Sequence, residues 1–306
     1  MKNNNTYKAY PLYKSSIEPK NKLYTTIYII KNIYYNIYIT KYKMINTQIL
    51  ELAIKIALYT AVVKNENPVS IMLVAPVEHG KTEILKKFAF INTVKIISDF
   101  NTFMFADFAT EYQMNQKATI VIPDFLRIVK KKYSTQSNAL TILNAITEEG
   151  WMGKLPLGQT ISKPIKANVI TALTQDEMMD KRHKWAKLGF LSRFIPMSFS
   201  YNNATKQQIR EYIKDRIYHT DKIQEFELDM KNKIDVVLPK DLAQIIEEIT
   251  LNIAEKDNLT GFRLQRQLQV MCMGCALMNT RSVVNISDVE IIQQISEFIN
   301  FNFKQI

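Results

Sequence analysis

The eight residues Ala75-Pro76-Val77-Glu78-His79-Gly80-Lys81-Thr82 read A-x-x-x-x-G-K-T. Residue types at this spacing can hold a string of phosphates. Successive backbone N–H groups of such a turn point inward at phosphate oxygens, and a helix starting there adds its positive end. Gly80 lets the backbone come close, Lys81 brings an ammonium to the β- and γ-phosphates, and Thr82 offers a hydroxyl to Mg²⁺. The pattern usually begins with Gly; here Ala75 stands at that position. The plain alternative is a surface turn with a solvated lysine. Context weighs against it, because VSIMLVA (69–75) is a continuous apolar run suited to a strand covered on both faces, and EILKKFAF reads as a helix.

A second piece is Ile120-Val121-Ile122-Pro123-Asp124, an apolar strand that ends in a carboxylate. Ligands of open α/β sheets bind at the carboxyl edge of the strands, so Asp124 is expected to hold Mg²⁺ there, directly or through water. Its alternative role is to cap the helix expected in FLRIVKK. Together the turn and the carboxylate point to a nucleotide with Mg²⁺ as the ligand.

The elements that must position these groups alternate. Strands are expected at 69–75, 94–100, 117–125, 166–174 and 192–201, with a helix around 136–148 between the third and fourth. Strands separated by helix-length connections imply βαβ units and a parallel sheet. From about 205 the period changes to three or four residues, in segments near 205–218, 238–255, 259–280 and 287–300. Pro239, Thr260-Gly261 and Ser287-Asp288 mark helix ends. The expected fold is α/β: a five-stranded parallel sheet flanked by helices over 44–203, then an all-α lid over 204–306.

The order of APVEHGKT, IVIPD, VITALT, LGFLSRF and TGFRLQRQL resembles that of AAA+ ATPases, which carry a P-loop NTPase core and act as subunits of a ring; the resemblance spans roughly 69–300. It implies ATP at an interface between neighbouring subunits, hence a homo-oligomer. Thr174 looks like the polar residue that positions the attacking water. Arg193 resembles the arginine that reaches a neighbour's γ-phosphate, and Arg263 the nucleotide-sensing arginine of the lid. Each has a bland counterpart: a strand-end hydrogen bonder for Thr174, a surface ion pair for the arginines. One departure matters. Hydrolytic members usually follow the aspartate with a Glu base, and here Phe125 follows Asp124. Three readings stay open: a base from elsewhere, with Glu148 or Glu149 as candidates; Asp124 in the base position with Pro123 replacing the metal ligand; or binding with slow hydrolysis. The stretch EEGWMGKLPLGQTISKPIK (148–166) reads as a hairpin. Ring helicases and initiators of this superfamily present a lysine on such a hairpin, which here would be Lys154 on a nucleic-acid backbone.

Composition sets the outer limits. At 306 residues, with 47% hydrophobic and 23% charged residues, the chain is neither disordered nor a disulfide framework. No cleavable signal peptide is visible, and a cytoplasmic, membrane-free protein is expected. The net charge of +11 is uneven: residues 1–43 hold eight Lys and one acid, a net +7, which leaves +4 for the rest. That extension also holds nine of the 15 Tyr and is expected to be poorly ordered. Cys272 and Cys275 lie in an apolar helical segment without further ligands and read as buried thiols, and Lys181-Arg182-His183-Lys184 as solvated surface. The leading expectation is an ATPase acting on DNA in the replication of a mobile element or virus. The competing ones are a nucleotide-controlled assembly module with little hydrolysis, and a protein remodeller gripping through Trp151 or Met152.

Overall fold

The structure, a computed structural model, describes residues 47–214, 226–257 and 259–303, all within one compact unit, Ile45–Ile306. The extension 1–43 and His219 lie outside the described residues. The elements are α1 (Thr47–Thr60), β1 (Ser70–Ala75), α2 (Lys81–Lys86), β2 (Val94–Ile96), α3 (Thr102–Gln113), β3 (Thr119–Ile122), α4 (Leu126–Val129), α5 (Tyr133–Thr147), β4 (Trp151–Lys154), β5 (Thr160–Ile165), β6 (Asn168–Thr174), α6 (Gln175–Lys187), β7 (Phe194–Ser198), α7 (Asn203–Lys214), α8 (Lys240–Asp257), α9 (Phe262–Met278) and α10 (Ile286–Ser296).

Five strands form one parallel sheet in the order β2-β3-β6-β1-β7, and β4-β5 is a separate antiparallel hairpin. Right-handed crossovers explain the layers. The connection from β1 to β2 crosses the sheet in the opposite sense to the later ones, so its helix must lie on the opposite face. Accordingly α2 packs Ile84, Leu85 and Phe88 with Ile71 and Leu73 of β1, whereas α3, α5 and α6 pack Phe105, Leu143 and Trp185 with Met72 and Val74. Alternate β1 residues thus feed two cores, as the two-residue period of a strand requires. All six residues of β1 are buried.

The C-terminal helices bury their apolar faces with α1. Leu242 and Ile246 of α8, Leu268 and Cys272 of α9, and Ile292 of α10 join Ile54 and Ala57 in the core that also holds Ile71. The expected lid therefore shares a core with the sheet face and α1. Gly274 makes this possible: a Cβ there would meet Ile56 O at 2.8 Å and Thr60 Cγ2 at 2.9 Å, so a larger residue would push α9 off α1. Asn285 caps α10, with Asp288 at its third position, in place of the expected Ser287-Asp288 start.

A buried polar hub ties the layers at the amino ends of the strands. Asn168, fully buried, donates to Ala57 O (2.8 Å), Thr60 Oγ1 (3.1 Å) and Val69 O (2.8 Å), and its Oδ1 accepts from Thr119 Oγ1 (3.1 Å). Removing this side chain strands several buried polar groups, each costing about 1–3 kcal/mol. Asn168→Ala is expected to lower the unfolding free energy by roughly 3 kcal/mol. Urea denaturation with an unchanged slope checks this.

Candidate functional site

β1 ends at Ala75, paired in register with Thr174, the last residue of β6. The chain then turns through 76–80 into α2. Gly80 has φ 70°, in the left-handed region, and Glu78 has φ 63°. Gly80 is thus the residue type the turn needs. Its absent side chain also makes room for Tyr201, since a Cβ would lie 2.8 Å from the tyrosine oxygen. Tyr201 stacks on His79 (centroids 4.9 Å apart, planes at 18°), and His79 Nδ1 lies 2.9 Å from Val77 O. Burial, then the charge of Glu51, pushes the Tyr201 hydroxyl pKa up, so it stays protonated. Because α2 has only six residues, its dipole is a small contribution, and phosphate binding would fall on the turn amides and Lys81.

The Lys81 ammonium donates to Ala75 O (2.9 Å) and Pro76 O (2.6 Å), folding back over the turn that precedes it. Burial lowers its pKa from the ordinary lysine value, and the charges of Glu177 and then Asp124 pull it back up. An arriving polyphosphate would act in the same direction as those carboxylates, favouring the charged lysine. Asp124 lies two residues beyond β3. Its Oδ1 accepts from Leu126 N–H (3.1 Å), at the first residue of α4, and its Oδ2 is 3.6 Å from Arg127 Nε. The side chain is 49% exposed, which leaves it open to a cation. One carboxylate and the Thr82 hydroxyl fit Mg²⁺, a hard cation that completes its shell with phosphate oxygens and waters. Among the described residues no group of three or more His, Cys, Asp or Glu side chains could hold a metal.

Thr174 caps α6: its Oγ1 accepts from Glu177 N–H (3.4 Å) and donates to Glu177 Oε2 (2.9 Å). The carboxyl edge therefore gathers Ala75 to Thr82, Asp124 and Thr174, and adds Glu177, which sequence reasoning missed. The signal was present: Thr174-Gln175-Asp176-Glu177 is a helix-start pattern.

The arginines lie elsewhere. Arg193 directly precedes β7, whose first residue pairs with Ser70 at the start of β1. That is the amino edge, roughly 16 Å from the end of β1 at about 3.3 Å per residue. Arg193 Nε is 3.0 Å from Glu148 Oε2 and its Nη2 is 3.3 Å from Glu149 Oε1. Arg263 Nη2 grips both oxygens of the same Glu148 at 2.7 and 2.9 Å. Asn67, Pro68, Glu148, Arg193, Arg263 and Arg266 line one cavity there. The structure thus brings Arg263 to Arg193 and Glu148 at the amino edge, and not to the 75–82 turn. Glu148 and Glu149 are held there as well.

The β4–β5 hairpin exists as expected. Trp151 packs edge-on against Phe105 (4.9 Å), while Met152 and Lys154 are exposed, as is Lys163 on β5. In the 181–184 patch, Arg182 donates to Asn302 O (2.7 Å) and Lys184 lies over the Tyr133 ring. Cys272 and Cys275 are buried free thiols whose pKa burial pushes up. Among the described residues no helix is long and apolar enough to cross a membrane.

Compared with known proteins, the chain matches no family model and no curated protein. The site must therefore be read from its own geometry.

Gly80→Ala is expected to weaken nucleotide binding by about tenfold, since it meets both the φ penalty and the Tyr201 oxygen. In a Tyr201→Phe background the steric part disappears and the loss should shrink to a few-fold. Titration of the four proteins of this cycle with a fluorescent ATP analogue measures it.

Proposed function

We propose that the chain binds ATP with Mg²⁺ at the 75–82 turn and hydrolyses it, as an AAA+-type P-loop ATPase that couples the nucleotide cycle to rearrangement of a homo-oligomer acting on DNA in the replication of a mobile element or virus. One observation carries the nucleotide reading. A lysine ammonium sits on the carbonyls of a left-handed turn at the end of a central parallel strand, in the electrostatic reach of two carboxylates. A surface turn with a solvated lysine would not place its charge back over its own backbone. Lys81 and the turn amides would hold the phosphates, while Thr82 and Asp124 would hold Mg²⁺, whose role is to neutralise charge on the transferring phosphate.

Two features support an oligomer on DNA. Arg193 stands at the edge opposite its own phosphate turn, so a phosphate it served would belong to a neighbouring copy. It would first have to leave Glu148 and Glu149. Lys154 and Lys163 are exposed on the β4–β5 hairpin, where they can contact a sugar-phosphate backbone without reading its sequence. Met152 shares the exposed face with Lys154 at 59% exposure, and this favours the protein-remodelling alternative. The buried Phe125 favours the weakly hydrolysing assembly module.

Lys81→Ala is expected to abolish Mg·ATP binding and bring phosphate release to background. A wild-type rate no higher than that background, with binding intact, would select the assembly module. Single-stranded DNA is expected to stimulate release several-fold at low salt, an effect lost in Lys154→Ala and with added salt. Stimulation by an unfolded polypeptide and not by DNA would select the remodeller.

A further inference from the structure

After Asp124 the chain turns inward. Phe125 is fully buried, stacked on Phe190 and edge-on to Trp185, each with ring centroids 5.7 Å away, and its N–H donates to Ala172 O (3.0 Å). β3 therefore delivers one carboxylate to the carboxyl edge and no second one behind it.

A second carboxylate reaches the same edge from the neighbouring strand. Thr174 ends β6 opposite Ala75, and Glu177 follows it at the third position of α6. In a closed capping box the carboxylate at that position returns to the backbone N–H of the cap residue. α10 shows the closed form, in which Asp288 Oδ2 accepts from Asn285 N–H at 2.9 Å. α6 differs. Glu177 N–H reaches Thr174 Oγ1 (3.4 Å), but the Glu177 carboxylate takes the threonine hydroxyl hydrogen on Oε2 (2.9 Å), and Oε1 lies 3.9 Å from Lys130 Nζ. The Glu177 side chain is 22% exposed, so it is sheltered and still reachable by water. A carboxylate released from the backbone, fixed by a hydroxyl and placed beside the phosphate turn has the arrangement of a general base.

We propose that Glu177 orients and deprotonates the water that attacks the terminal phosphate of the nucleotide held at 75–82. The assignment rests on the nucleotide-hydrolysis reading above. A lone pair of the water oxygen forms the new bond to the γ-phosphorus. The bond from that phosphorus to the β–γ bridging oxygen breaks, and its electron pair leaves with ADP. The water proton passes to the Glu177 carboxylate and from there to solvent. Thr174 is a positioning residue: its hydroxyl holds Oε2 and fixes the direction of Oε1.

The test compares wild type, Lys81→Ala, Glu177→Gln and Thr174→Val for phosphate release from Mg·ATP and for binding of a fluorescent ATP analogue. Glu177→Gln is expected to bind within about threefold of wild type while its turnover falls on the order of 100-fold. Thr174→Val is expected to keep binding and lose roughly tenfold in turnover. A Glu177→Gln protein that releases phosphate at the wild-type rate, with both well above Lys81→Ala, overturns the role of Glu177 and leaves the hydrolysis reading standing. Wild type equal to Lys81→Ala overturns both. Loss of analogue binding in a Glu177→Gln protein with an unchanged thermal melt also overturns the proposal, since Glu177 would then shape the pocket. If the glutamine variant folds poorly, Glu177→Asp reads the same way: slowed turnover with binding kept supports the base, and unchanged turnover sinks it.

Discussion

The whole site depends on β1 being gripped on both sides by parallel partners. β6 pairs with it from Ile71 to Ala75, and β7 from Ser70 to Val74. Parallel pairing sends every strand's carboxyl end to the same edge. The 75–82 turn, Asp124, Thr174 and the segment reaching Tyr201 therefore meet there without any need for sequence proximity. The force behind it is burial: a strand that feeds Ile71 and Leu73 to one core and Met72 and Val74 to the other cannot slip by one residue without exchanging its faces.

The two edges of the sheet do different work. At the amino edge Asn168 donates to Ala57 O and Val69 O, and Glu148 is held between Arg193 and Arg263. The carboxyl edge presents two charged groups that solvent or a ligand can reach. Asp124 is half exposed, and Lys81 rests on backbone carbonyls that a polyphosphate could replace.

The strands and the turn were legible because their signals are local. The apolar runs at 69–75, 119–122 and 168–174 can satisfy themselves only inside a sheet, and Gly80 before Lys81 marks a left-handed turn. The hairpin was legible from its Gly and Pro content. What depended on distant partners was not. Asn168 reads as an interruption in an apolar strand until α1, 108 to 111 residues away, supplies its acceptors. Glu148 was weighed as a base because nothing nearby in sequence showed that Arg263, 115 residues on, would occupy it. The helices from 240 onward were located correctly by their period. Period does not say which surface an apolar stripe will cover, so their packing on α1 was not foreseen. Glu177 was hidden by a different confusion: a helix-start pattern explains a glutamate well enough that no further use is sought for it.

The Thr174 hydroxyl carries a single hydrogen, and it is committed to Glu177. In this state Thr174 can accept one more hydrogen bond and cannot offer one to a phosphate oxygen. Should the oxygen atoms of a bound nucleotide claim that hydrogen, Glu177 must let go of it, and its carboxylate would swing free of the strand end. A single proton would then decide where the Glu177 carboxylate points, with no movement of the backbone.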